Sequence, residues 1–249
     1  MEYLTPKEIK DKRDILKPLQ QRVSWDVRSG KILSLLQKYV PEKKSSIIDC
    51  ACADGSLMKQ LTASGYSNLK GVDIDDYRSN ESRNFAFKAV DICFEKLPWP
   101  DFSIDAIVSS QTIEHLENPH FFVREAARVL KPGGIFIVST PNPFHILNRL
   151  LFLFRGNLFH FLEDDNHLTF FTRAIFKKTF LKHFNLLQTD HAKVEIPSAG
   201  FSNIQIYNFK NSRRIRAPVR ALQAGEDANT LLCGRYIHAD AIRIAESPG

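Results

Sequence analysis

From residue 44 to residue 141 the chain alternates short apolar runs with longer stretches whose apolar positions recur at helical spacing. SSIIDC (45–50) is a continuous apolar run before a Gly-containing turn, so it predicts a buried parallel strand. After the turn at 53–55, Ser56 can cap the helix LMKQLTAS, and Gly65 ends it. LKGVDID predicts a second strand over about 69–74, and FAFKAVDI a third that closes on Asp91. The loop CFEKLPWPDFS leads to IDAIVSS, a fourth strand over 104–110. PHFFVREAARVL is a helix opened by Pro119 and stopped by Lys131-Pro132-Gly133-Gly134, and GIFIVST is a fifth strand. This alternation argues for a parallel sheet covered by helices on both faces.

The flanks read differently. Residues 1–43 are helical, amphipathic and charged; Ser24 can cap a helix that runs to about Val40, where Pro41 stops it. After Pro141 the segment 142–171 is dense in Phe and Leu, with His145, His160 and His167 interspersed. Asn148, Arg149, Arg155, Gly156 and Asn157 interrupt it, so it lacks the roughly 20 apolar residues of a membrane span and fits a lid or an interfacial helix. TRAIFKKTFLKH (172–183) predicts a helix capped by Thr172. FNLLQTDHAKVEI and RYIHADAIRIAE are the remaining strand candidates, separated by the basic stretch 210–230. The resulting division is one domain over 1–249: N-terminal helices 1–43, a core at 44–141, a lid and helix at 142–183, and last strands with a basic insertion at 184–249.

Composition narrows this picture. With 249 residues and 43% hydrophobic content, the chain can bury one sizeable α/β core. The first residues, MEYLTPKEIKDKRD, contain no apolar h-region, which argues against a secretory signal. Four cysteines (Cys50, Cys52, Cys93, Cys233) are too scattered for a disulfide framework, and a reduced, cytoplasmic protein is expected. Cys50 and Cys52 alternate along the first strand, which would set them on one face of the sheet. The net charge of +6 suits phosphates or anionic lipid, but the basic residues lack aromatic interleaving, which argues against a nucleic-acid platform.

Candidate chemistry gathers at successive strand ends. A turn of small residues between strand and helix, in DCACADGS, lets backbone approach a ligand closely and offers free helix N–H groups. Asp73, ending the second strand, suits the two hydroxyls of a ribose. Asp91 can accept from an adenine amino group, and Ser109-Ser110-Gln111 puts polar groups at the carboxyl edge where ligands bind in open α/β sheets. A Gly-x-Gly-x-x-Gly dinucleotide fingerprint is absent, since Ala51, Ala53 and Ser56 occupy its positions. All three acids could instead be turn or helix caps.

The motifs together resemble the class I S-adenosylmethionine-dependent methyltransferases, in particular the type 11 and UbiE/UbiG-like group. IIDCACADGSLMKQL resembles their motif I, usually Asp-x-Gly-x-Gly-x-Gly, and GVDID their motif II. AVDI, LPWPDFSIDAIVSSQTIEHLENP and ARVLKPGGIFIVSTPNP resemble the later motifs, and NHLTFFT a signature of bacterial members. The resemblance implies a Rossmann-like three-layer α/β sandwich with a mostly parallel seven-stranded sheet and one antiparallel strand, N-terminal helices and a lid insertion. It implies S-adenosylmethionine as cofactor and S-adenosylhomocysteine as product. Asp49, Ala51, Cys52, Ala53 and Gly55 would line the methionine end, and Asp73 would hold the ribose with Ile74 packing on adenine. Asp91 and the Ile92 backbone would meet the adenine edge, with Ser110 and Gln111 beside the sulfonium. Ala51 and Ala53 replace the first two glycines of motif I; a Cβ there costs little at negative φ but crowds a close ligand.

The expected activity is methyl transfer to oxygen or nitrogen of a small-molecule, glycan or lipid-linked acceptor, with His115 or His167 as candidate base. Structural roles for both histidines stay open. No metal is expected, because His160, Asp164 and His167 lack the ligand spacing of a known class. Peripheral membrane contact remains compatible with the Phe-rich segment. Two alternatives also stand: a non-catalytic binding protein, from Ala51 and Ala53, and an RNA-associated methyltransferase, from RRIRAPVR (213–220).

Overall fold

The apolar run at 46–50 forms β1 (Ser46–Cys50), buried at every position, as a parallel strand covered on both faces must be. It leads through a tight loop into α2 (Ser56–Ala63), which follows the N-terminal helix α1 (Val23–Tyr39) in the chain. Then come β2 (Asn68–Asp73), β3 (Ala86–Ala89), β4 (Ile104–Ser110), α3 (Pro119–Val129) and β5 (Leu130–Pro141). The carboxyl-terminal part adds α4 (Ile146–Arg155), α5 (Arg173–Phe180), β6 (Phe184–Ala192) and β7 (Ser202–Phe209). This computed structural model describes residues 23–142, 144, 146–158, 161, 166–192 and 202–210. By its contacts the chain divides into Met1–Ser212, which holds all of these residues, and Arg213–Gly249.

The strands form a seven-stranded sheet in the order β3-β2-β1-β4-β5-β7-β6. Neighbours from β3 to β5 are parallel, and β7 runs antiparallel to both β5 and β6. The expected architecture, mostly parallel with one reversed strand, is therefore present. The order turns between β1 and β4, and that is where an open α/β sheet leaves a crevice beyond its carboxyl ends.

Helices cover both faces. On one, Leu36 of α1 and Leu57, Met58 and Leu61 of α2 pack with Ile47, Val108 and Ile137 of the sheet. On the other, Phe122 and Ala126 of α3 and Phe176 and Phe180 of α5 pack with Ile48, Ile107 and Phe136. Pro119 opens α3 with Asn118 accepting from the Phe121 amide, and the expected Thr172 cap of α5 accepts from the Ile175 amide.

Several expectations change. The α2 cap is Gly55 in a left-handed conformation rather than Ser56; Ser56 is the first helical residue, and its amide donates to the Asp54 carboxylate at 3.1 Å. Cys50 and Cys52 enter opposite cores, because the left-handed backbone at Ala51 breaks the strand alternation. The third strand is the sheet's edge and stops at Ala89, so Asp91 lies in the turn beyond it. A reversed strand lies at Ser202–Phe209, where no strand is expected from the sequence, and its alternating Ile204 and Ile206 are buried. The Phe-rich stretch is only partly core: Phe171 is buried, whereas Phe152 and Phe154 are exposed. Residues 1–22, the basic stretch beyond Lys210 with RRIRAPVR, the candidate at 235–246, Cys233, His145, His160 and Asp164 lie outside the described residues. Among the described residues, no helix is long and apolar enough to cross a membrane.

Candidate functional site

The loop after β1 is built by alternating left-handed residues. Ala51, Ala53 and Gly55 have φ of 59°, 48° and 80°. For the two alanines the premise of negative φ fails, and each carries a steric cost of about 1–2 kcal/mol. Such conformations persist where the surroundings over-determine them. Here the Cys52 amide donates to the Val72 carbonyl (3.1 Å), the Gly55 amide to Cys52 (2.9 Å) and the Ala53 amide to the Asp73 carboxylate (2.9 Å). Gly55 and Gly71 are needed for space. A Cβ on Gly55 would stand 2.6 Å from Ser82 Cβ, and one on Gly71 would stand 2.8 Å from the Cys52 sulfur.

Two buried carboxylates flank this loop. Asp73 accepts from the Ala53 amide through one oxygen and from the Ile74 amide (2.8 Å) through the other. Asp49, on the neighbouring strand opposite Gly71, has its pKa pushed up to about 8. Burial is the main cause, and the nearby charges of Asp73 and Asp54 add to it. The unfolded chain ionises this group near pH 4, so the native fold favours its protonated form. The stability it contributes is full below about pH 4 and is lost as pH rises through about 8. Asp49→Asn, which cannot ionise, is expected to flatten that fall. Urea midpoints at about pH 5 and about pH 8 should separate for the native chain and converge for the variant. An equal fall in both would show that Asp49 is not the titrating group.

The other expected residues sit along the same edge. Asp91 is half-buried and accepts from the Cys93 amide (2.9 Å), so one of its oxygens already caps the turn that follows. Ile74 is half-buried, while the Ile92 side chain belongs to the core and leaves only its backbone for a ligand. Ala51 and Ala53 are half-buried, whereas Cys52 is buried. At the end of β4, Ser110 Oγ lies 3.1 Å from Ser139 Oγ. Gln111 is left-handed (φ 53°), and its amide donates to the Ser139 carbonyl at 2.9 Å. Ser139, buried on β5, is the organising residue here, and sequence alone did not point to it. A cleft of about 610 Å³ lined by Tyr66, Asn68, Lys70 and Asn84 lies at the amino end of β2, the opposite edge, and includes none of these groups.

His115 and His167, far apart in sequence, are brought together with ring centroids 4.5 Å apart. Their meeting is fixed by backbone: the Leu168 and Thr169 amides donate to the Glu114 carbonyl at 2.8 and 3.0 Å. His115 Nδ1 lies 3.0 Å from the Asn166 carbonyl. Glu114 itself was not singled out from sequence. Its side chain is buried, and neither carboxylate oxygen has a hydrogen-bond partner. Burial raises its pKa to about 8, while its own backbone amide and the charge of Arg28 pull the other way. Its proximity to His115 in the chain was the available signal; its burial was not readable.

Known proteins resemble the core of this chain in sequence and fold. A family model described as a methyltransferase domain matches residues 48–138. A probable S-adenosylmethionine-dependent methyltransferase of Mycolicibacterium smegmatis is 38% identical over 99 residues, which cover 39% of this chain and 38% of that protein. The 27-O-demethylrifamycin SV methyltransferase of Amycolatopsis mediterranei is 29% identical over 96 residues, 35% of each chain. This chain thus spans well under half the length of these curated relatives. The N-methyltransferase NodS from Bradyrhizobium japonicum WM9, solved in complex with S-adenosyl-L-homocysteine, shares the fold with a TM-score of 0.60 at 12% identity, over 82% of this chain and 98% of that one.

Proposed function

We propose, from the match of residues 48–138 to a methyltransferase-domain model and the likeness to S-adenosylmethionine-dependent relatives, that this chain is a class I S-adenosylmethionine-dependent methyltransferase that methylates an oxygen or nitrogen of a small-molecule, glycan or lipid-linked acceptor. The observation that carries this reading is the loop at 51–55. It keeps a left-handed backbone at Ala51 and Ala53, without glycine, beside two buried carboxylates. Both alanines are half-buried.

In this reading Asp73 accepts from the ribose hydroxyls, with Ile74 packing on the adenine. The Asp91 carboxylate accepts from the adenine amino group, and the Ile92 amide donates to the ring edge. Asp49, Ala51, Cys52, Ala53 and Gly55 enclose the methionine end, with Ser110 and Gln111 beside the sulfur. When bound, S-adenosylmethionine supplies an electrophilic methyl group on a positively charged sulfur. The protein's share is to bind, align and exclude water. Asp49 is suited to a cationic ligand, because a positive charge beside it would draw off its proton and make it a counter-charge. Ser139 holds Ser110 and Gln111 in place, and the His115–His167 pair stands ready to accept a proton from the acceptor.

The lipid-linked end of the acceptor class has specific support. On α4, Leu153 and Phe154 are 73% and 79% exposed, and Arg149 and Arg155 accompany them. An apolar surface flanked by basic residues suits an interface of anionic lipid. Release of S-adenosylhomocysteine should be measured with S-adenosylmethionine and a panel of hydroxyl and amine acceptors, free and lipid-linked. Acceptor-dependent release is expected. Tight binding of the donor with no release from any acceptor would instead favour a non-catalytic binding protein.

A further inference from the structure

We propose that Glu114, His115 and His167 form a binding site for a divalent transition-metal ion. One carboxylate oxygen of Glu114 and one ring nitrogen of each histidine all lie within 4.8 Å of one another. Ligands around a common zinc-sized ion sit about 3.3 Å apart, so modest side-chain shifts would close this set. The site does not depend on the methyl-transfer reading.

Three further features point to a cation. Glu114 is 1% exposed and neither of its oxygens accepts a hydrogen bond, an arrangement that is costly for a carboxylate unless a positive charge completes it. The backbone bonds from Leu168 and Thr169 to the Glu114 carbonyl tie the two ligand-bearing segments together before any ion arrives. His115 Nδ1 can act on the Asn166 carbonyl only as a donor, which in the neutral ring places the lone pair on Nε2. Ligating histidines are commonly oriented by such a second hydrogen bond.

The donor set selects the ion. Two imidazoles and one carboxylate favour Zn²⁺, Fe²⁺, Co²⁺ or Mn²⁺ over the oxygen-seeking Mg²⁺ and Ca²⁺, and three protein ligands leave coordination positions open. Arg28 is the competing positive charge. Arg28 on α1 is half-buried with its Nε buried and without a hydrogen bond; it acts on Glu114 electrostatically but does not cap the carboxylate. With an ion bound, His115 and His167 hold it; the proton-accepting role proposed above belongs to the same pair without the ion.

The test uses the full chain, stripped with a chelator and dialysed, then titrated with Co²⁺ and Zn²⁺. One ion per chain and a visible Co²⁺ absorption band are expected. Glu114→Gln and His167→Gln should each weaken binding by about 100-fold. His167 is only half-buried, so its variant keeps the test valid if Glu114→Gln folds poorly. S-adenosylhomocysteine binding should persist in both variants, which separates loss of the metal site from loss of the nucleoside pocket. No Co²⁺ band, or unchanged binding in both variants, would overturn the assignment.

Discussion

Asp73→Asn is expected to weaken S-adenosylhomocysteine binding by about 100-fold without unfolding the protein. A carboxylate that accepts from both ribose hydroxyls makes two charge-assisted hydrogen bonds, each worth about 1.5–3 kcal/mol. Losing about 3 kcal/mol of that is about 100-fold in affinity. The fold should tolerate the change because two effects oppose each other. Asparagine keeps one oxygen for the Ala53 or Ile74 amide and loses the other bond, but it also removes a negative charge that bears on buried Asp49. A urea midpoint close to the native value, with ligand affinity lost, is the expected pair of results. Undiminished affinity would mean that Asp73 serves only to brace the loop.

Gly55→Val is expected to have the largest effect on stability, roughly 2–5 kcal/mol, with the melting temperature lower by roughly 5–15 °C. Two costs add. Gly55 has φ 80°, where a side chain costs about 1–2 kcal/mol. Its added Cβ would also stand 2.6 Å from Ser82 Cβ and 2.7 Å from Ser82 Oγ, an overpacking worth about 1–3 kcal/mol more. Ala51→Gly supplies the contrast. It relieves left-handed strain of about 1–2 kcal/mol but loosens the unfolded chain by about 0.4–1 kcal/mol, so stability should hold or rise by roughly 0–1.6 kcal/mol. A thermal melt in which Gly55→Val behaves like Ala51→Gly would contradict the crowding at Ser82.

The contrast between these two positions shows what sequence could carry and what it could not. SIIDC, IDAIVSS and GIFIVST were legible as buried strands because a parallel strand covered on both faces is apolar throughout. α3 was legible from Pro119, but it ends at Val129, and Lys131-Pro132-Gly133-Gly134, read as its stop, lie within β5. Asp49, Asp73 and the loop between β1 and α2 were legible because strand–turn–helix spacing places them at one edge. The sign of φ at Ala51 and Ala53 was not, since composition favours negative values for alanine and only the surrounding hydrogen bonds impose the left-handed state.

Edges and long-range meetings were the hidden part. Among the described residues β3 is an edge strand, and it stops at Ala89; in Ser202–Phe209 the alternation rests on only two isoleucines, Ile204 and Ile206. Glu114 reads as an ordinary surface acid beside His115. Its side chain is buried where Leu168 and Thr169 return to bond its backbone, and no local pattern encodes that return. The same return joins His115 to His167 and turns two separate candidates into one cluster. Ser139 was hidden for a related reason: its contacts with Ser110 and Gln111 cross from one strand to the next.

The most direct measurement is calorimetric titration of the full chain with S-adenosylmethionine and S-adenosylhomocysteine. One site per chain with micromolar affinity, tightening as pH rises toward the Asp49 titration near 8, is the expected result. Absence of binding by both ligands across that pH range would contradict the nucleoside pocket and, with it, the methyltransferase reading.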